Sequence, residues 1–197
     1  MKMRKFFIAI ILMFTLAVHA QNGYHIQFMG IPLGQELRLF VFKLEQKGFK
    51  PDKFLNSIWA ETGDNIYCMN GLFMGVKNQS IALFYTSSNK IVNTVSVSYD
   101  YNSWNSAHNQ YSKIKSMLSQ KYGKPNKSVE MFSYPTPKDD RGKIKAIQTN
   151  KGKYVSTFNV NSGNIEISIH VRDDNKPSVS LMYNDTSVKE RKPIDDL

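Results

Sequence analysis

Two stretches decide how this chain is read: "LEQKGFKPD" at residues 44–52 and "LSQKYGKPN" at residues 118–126. Leu44, Gln46, Lys47, Lys50 and Pro51 recur as Leu118, Gln120, Lys121, Lys124 and Pro125, each 74 positions later. Upstream of the first copy, Leu37, Phe40, Val41 and Leu44 fall at i, i+3, i+4 and i+7, the apolar stripe of an amphipathic helix. Pro32 and Gly34 mark its entrance, and Gly48 and Pro51 its exit. Upstream of the second copy, Trp104, Ala107, Tyr111, Ile114 and Leu118 keep the same spacing, and Gly123 and Pro125 end that helix. Both copies therefore read as the end of a core-packing helix that turns toward a sheet.

Three strand-like segments follow each helix. After the first come "GLFMGVK", "SIALFYT" and "KIVNTVSVSYD"; after the second come "KYVSTFNV", "NIEISIHV" and "PSVSLMYND". In "NIEISIHV", Ile165, Ile167, Ile169 and Val171 share one face, and Glu166, Ser168 and His170 the other. The links 87–90, 161–164 and 172–176 have hairpin-turn composition. A helix has one apolar stripe and an alternating sheet one apolar face, so each buries the other. The expected fold is α+β: two tandem αβββ repeats with helices on one face of antiparallel sheet. The second repeat is about ten residues longer, and the excess is assigned to a loop at "YPTPKDDRGK".

Residues 1–20 read as a secretory signal peptide: Lys2, Arg4 and Lys5, then the apolar run "FIAIILMFTLAV", then Val18 and Ala20 before cleavage. That run is shorter than the roughly 20 residues of a spanning helix. The expectation is an exported, soluble protein, periplasmic or secreted, with a first repeat and its lead-in at 21–100, a second at 101–185, and a polar, disordered tail at 186–197. Cleavage leaves 23 basic against 16 acidic residues, a net charge of +7. The basic residues are spread along the chain, which reads as solubility before it reads as a polyanion site. The single cysteine, Cys68, excludes an internal disulfide and leaves stability to packing. Its apolar surroundings favour a buried, inert thiol.

The element order resembles the beta-lactamase inhibitor protein fold and the small outer-membrane lipoproteins of the SmpA/OmlA type. "KYGKP" (121–125) is similar to the Leu-Gly-x-Pro-like phrase that ends their helical part. The chain departs from the lipoproteins in having no lipid-attachment cysteine at the cleavage point, and it has no recognisable inhibitory loop. The resemblance carries over no functional residue. It implies a class of role: non-catalytic envelope or secreted modules that bind other proteins through an open sheet face or loops.

Signatures of chemistry are sparse. His25, His108 and His170 have no partner at ligand spacing, and no metal or cofactor is expected. His108 is placed on the polar side of its helix. The doublets Asp139–Asp140, Asp173–Asp174 and Asp195–Asp196 read as solvated turns and termini. A Cys68–His pair is the one nucleophilic scheme that can be drawn. Two candidate surfaces remain. One is the sheet face away from the helices, with Ser96, Ser98, Glu166, Ser168, His170, Ser178 and Ser180; Tyr101, Trp104 and Tyr134 are read as covers of core edges. The other is a basic patch of Lys138, Arg141, Lys143, Lys145, Lys151 and Lys153, read as a solvated loop and strand edge. The first favours a protein or envelope component as partner, the second a small ligand or polyanion, and a thiol-dependent enzyme ranks third. Export argues against nucleic acid.

Overall fold

The computed structural model describes residues 25–189, so the segment read as a signal peptide and the end of the polar tail lie outside the described residues. The fold is α+β, with antiparallel sheet throughout. A lead-in hairpin, β1 (Gln27–Phe28) and β2 (Ile31–Pro32), precedes α1 (Leu37–Glu45), β3 (Lys50–Pro51) and α2 (Lys53–Thr62). Then come β4 (Ile66–Phe73), β5 (Val76–Tyr85) and β6 (Val92–Asp100). The later half runs α3 (Trp104–Tyr122), β7 (Lys127–Phe132), α4 (Asp140–Gln148), β8 (Gly152–Val160), β9 (Gly163–Val171) and β10 (Pro177–Asp185). Strands β3 to β10 form one eight-stranded sheet in the order β3-β4-β5-β6-β10-β9-β8-β7. Outward from the central β6–β10 pair, both sides list their strands in the same sequence.

The core lies between that sheet and the helical stripes. Phe40 and Leu44 of α1, and all five residues of the α3 stripe, are buried with Val95 and Val97 of β6, Ile165, Ile167 and Ile169 of β9, and Val179 and Leu181 of β10. Ser103 caps α3 by accepting from the Ser106 amide at 3.2 Å, and Gly123 ends it at a positive φ of 82°. The lead-in belongs to the same core: Ile26, Phe28, Ile31 and Leu33 are all buried.

Each half holds one helix and one short strand more than the expected αβββ unit. In the first half, Asp52 ends the exit turn of α1 and caps α2 by accepting from the Leu55 amide at 3.0 Å. The Pro51–Asp52 signal thus closes one helix and opens the next. In the second half, the segment expected as a loop contains α4, capped by Asp139 through the Gly142 amide at 2.7 Å. "GLFMGVK" is not a strand of its own: Met74 and Gly75 turn there at φ 48° and 82°, and the strand begins earlier, at Ile66. Positive φ at both central residues makes a tight hairpin.

One polar network pins the edge strand β7 to α3. The Tyr111 hydroxyl donates to Glu130 Oε1 at 3.0 Å and shares a 2.7 Å bond with Ser156 Oγ. Lys115 forms an ion pair with Glu130, and Ser128 donates to the same carboxylate at 2.9 Å. Burial pushes the Glu130 carboxyl up. The bonds from Lys115, Ser128 and Tyr111, with the lysine's charge, outweigh it and hold the group below its ordinary value. A carboxylate lowered on folding adds stability that is complete above the unfolded value and is lost as pH falls through the folded one. Below about pH 4.5, urea titrations should therefore show the wild type losing stability more steeply than Glu130→Gln. Parallel pH profiles would remove the network from the stability balance.

Candidate functional site

The two candidate surfaces meet in one place. Strand register sets Ser180 beside both Ser98 and Ser168, and Met182 beside both Ser96 and Glu166. Ser96, Ser98, Ser168, Ser180, Glu166 and His170 therefore share the open face across β6, β10 and β9. Toward β8 this face deepens into a groove of about 630 Å³. Glu166, Ser168 and His170 line it together with Lys153 of the basic patch, and Lys127, Val155 and Thr157 complete the sheet side. Ile147, Gln148 and Asn150, at and just beyond the end of α4, form its border. The Thr157 hydroxyl donates to Glu166 Oε2 at 3.3 Å and helps fix that carboxylate.

Ser178 departs from the expectation. It is wholly buried and donates to the Tyr99 carbonyl at 3.3 Å. Its register neighbours are Asp100 and His170, and the Arg172–Asp100 ion pair joins the two flanking strands at that level. A side chain as small as serine is overshadowed between such neighbours, so alternation alone does not expose it. His170 itself reaches solvent. Burial by its surroundings lowers its pKa, Asp100 opposes that shift, and Arg172 reinforces it. The shift favours the neutral imidazole at the groove wall.

The basic patch is not a loop. Arg141, Lys143 and Lys145 ride on α4, Lys138 precedes the helix, Lys151 follows it, and Lys153 stands on β8. Among the described residues none of the six forms an ion pair. Two of the aromatic assignments also change. His108 is half-buried, stacked on Trp104 at 5.9 Å and edge-on to Tyr154 at 5.5 Å, so it belongs to an aromatic cluster and not to a polar face. Trp104 is buried, but Tyr134, expected to cover the core, is 96% exposed.

Cys68 is buried, and burial raises its thiol above the ordinary value. Contact with the Trp59 indole of α2 pulls the other way and Asp52 adds to the rise. No oxygen accepts from the buried Trp59 Nε1. Asn56 of α2 bonds both backbone groups of Cys68, at 2.6 and 3.1 Å, and so stands in for a neighbouring strand. Four strand intervals separate β4 from β9, and the ladder sets Cys68 level with Glu166, four residues short of His170, so the two are more than about 19 Å apart. A Cys68–His170 pair is therefore out of reach.

Sequence spacing gave no hint of a third arrangement. At the end of β10, the buried Asp185 carboxylate holds His25 of the lead-in, with His25 Nδ1 at 2.8 Å from Asp185 Oδ2. The two residues are 160 positions apart. A cleft of about 420 Å³ opens beside His25, between the end of α3 and the β8–β9 turn. Among the described residues no group of three or more His, Cys, Asp or Glu side chains is placed to hold a metal ion. No described helix is long and apolar enough to cross a membrane.

No protein-family model matches the chain, and no curated protein or solved structure was found to be similar to it.

Proposed function

We propose that this is an exported, non-catalytic module that binds a protein or another envelope component against the open face of its sheet. The observation that carries the reading is the in-register row of small side chains, Ser98, Ser180 and Ser168, leading into the groove at Glu166 and His170. Small side chains leave backbone and hydroxyls within reach of a partner. The groove adds both signs of charge, Lys127 and Lys153 against Glu166, over apolar Val155 and Ile147. Met182, an exposed apolar side chain of the kind that anchors interfaces, stands on the face itself. The sequence's tandem order of helix then antiparallel strands resembles the beta-lactamase inhibitor protein fold. That likeness points to the same class of role. The N-terminal signal sequence supports export.

Ser180→Arg tests this reading directly, because it plants a long cation in the middle of the face. A solvent-facing change of this kind is expected to alter stability by no more than about 0.5 kcal/mol. Immobilised wild type should retain one species from an envelope extract at low and high salt, and Ser180→Arg should lose it with its melting temperature unchanged. Equal retention by both proteins would discard the face as the docking surface.

A second reading draws on the six cations around α4, none of which forms an ion pair among the described residues. A polyanion bound there would be retained at low salt alone and released by an Arg141→Glu, Lys145→Glu double variant.

A further inference from the structure

We infer that the cleft beside His25 is a binding site for a small hydroxy acid, its carboxylate directed to Lys121 and its hydroxyl donated to His25 Nε2. The site is built around Asp185, whose side chain is completely buried. Oδ2 accepts from the Ile26 amide at 3.2 Å and from His25 Nδ1 at 2.8 Å. Oδ1 accepts from the Ser187 amide at 3.0 Å and from the Ser187 hydroxyl at 2.5 Å. A carboxylate with four donors is an acceptor only, so in the neutral ring the hydrogen sits on Nδ1 and Nε2 is the acceptor. The ring is held from below as well: Gly34 lies against it so closely that a Cβ there would come within 2.6 Å of the imidazole.

This is not the arrangement of a nucleophilic serine. Ser187 Oγ lies 3.3 Å from Nδ1, on the Asp185 side of the ring, and its hydrogen already goes to that carboxylate. The cluster instead fixes one acceptor at the wall of a cleft whose volume falls in the range of small-molecule sites. Burying a carboxylate to orient a histidine is expensive, and mere surface cover would not require it.

The rest of the lining selects the ligand. Among the described residues that line the cleft, Lys121 is the one permanently charged side chain and there is no Asp or Glu, so a single negative charge is favoured. Gln27 and Asn161 offer amides, and Ile26, Ile165 and the half-buried Tyr122 offer apolar surface for a small body. A carboxylate, one hydroxyl donor and an apolar group together describe a hydroxy acid. The site is independent of the open sheet face.

Mandelate, phenylacetate and mandelamide separate the parts of this proposal when titrated into the full chain with amide resonances as readout. Mandelate should shift Gln27, Asn161 and Ser162 saturably. Phenylacetate, which has no hydroxyl, and mandelamide, which has no charge, should each bind about tenfold more weakly. The exposed Lys121→Gln change should bring mandelate down to the level of mandelamide and leave mandelamide unaffected. Absence of saturable shifts with mandelate, equal binding of the three probes, or an unchanged mandelate affinity in Lys121→Gln would each overturn the assignment.

Discussion

Phe28→Ala is expected to destabilise the protein by about 3–5 kcal/mol and to lower its melting temperature by roughly 10 °C. Phe28 is fully buried, its ring 5.0 Å from Phe73 and 5.4 Å from Tyr183, the latter edge-on. Phe73 ends β4 in the first half of the sheet, whereas Tyr183 sits on β10 in the second. Truncation therefore leaves a cavity at the place where both halves and the lead-in meet. Urea unfolding followed by fluorescence should show a lower midpoint with an unchanged slope. A loss under about 1 kcal/mol, well below what a buried phenylalanine contributes, would mean that the lead-in rests on the core without completing it.

Gly163→Ala should cost about 3 kcal/mol, at the upper end of overpacking effects. A Cβ at Gly163 would land on the Asn184 carbonyl oxygen and lie 3.0 Å from the Thr186 amide. Both are backbone atoms of the β10 segment and cannot swing aside as the tip of a side chain can. Asp185 sits opposite Gly163 in the ladder, so relief of the clash would also displace the carboxylate that holds His25. Calorimetry should record the lost stability, and amide shifts should spread from Ser162 to Asp185. A near-neutral result would show that β10 can move away from β9 at that level without loss.

The sequence showed the main elements wherever a side-chain period ran long enough. The α3 stripe over Trp104–Leu118 and the alternation over Ile165–Ile169 are both buried as their spacing requires. The short helices were less legible for a physical reason. α2 buries none of its residues completely and α4 only Ala146 and Ile147, so neither shows a full apolar stripe. Their caps, Asp52 and Asp139, lie in segments that read as turns, because aspartate serves both a helix start and a turn. The candidate face was legible by alternation except at Ser178, where neighbours on two other strands govern exposure. The groove and the cleft were not legible, because Lys127 and Glu166 come to one groove only through strand order, and His25 reaches Asp185 only through docking of the lead-in on the core.

By itself the sequence determined the class of fold, two helix-to-sheet phrases 74 residues apart, a core without disulfides, and an N-terminal segment with the features of an export signal. Those are local or compositional properties, written in the spacing of apolar side chains and in residue counts. Only the tertiary structure decided that the sheet is continuous through β6 and β10, that Cys68 lies beyond reach of His170, and that a buried Asp185 orients His25 at a cleft. Each of these depends on which strands become neighbours or on where the lead-in docks. That choice is made by burying all the apolar faces at once, and no single stretch of the chain records it.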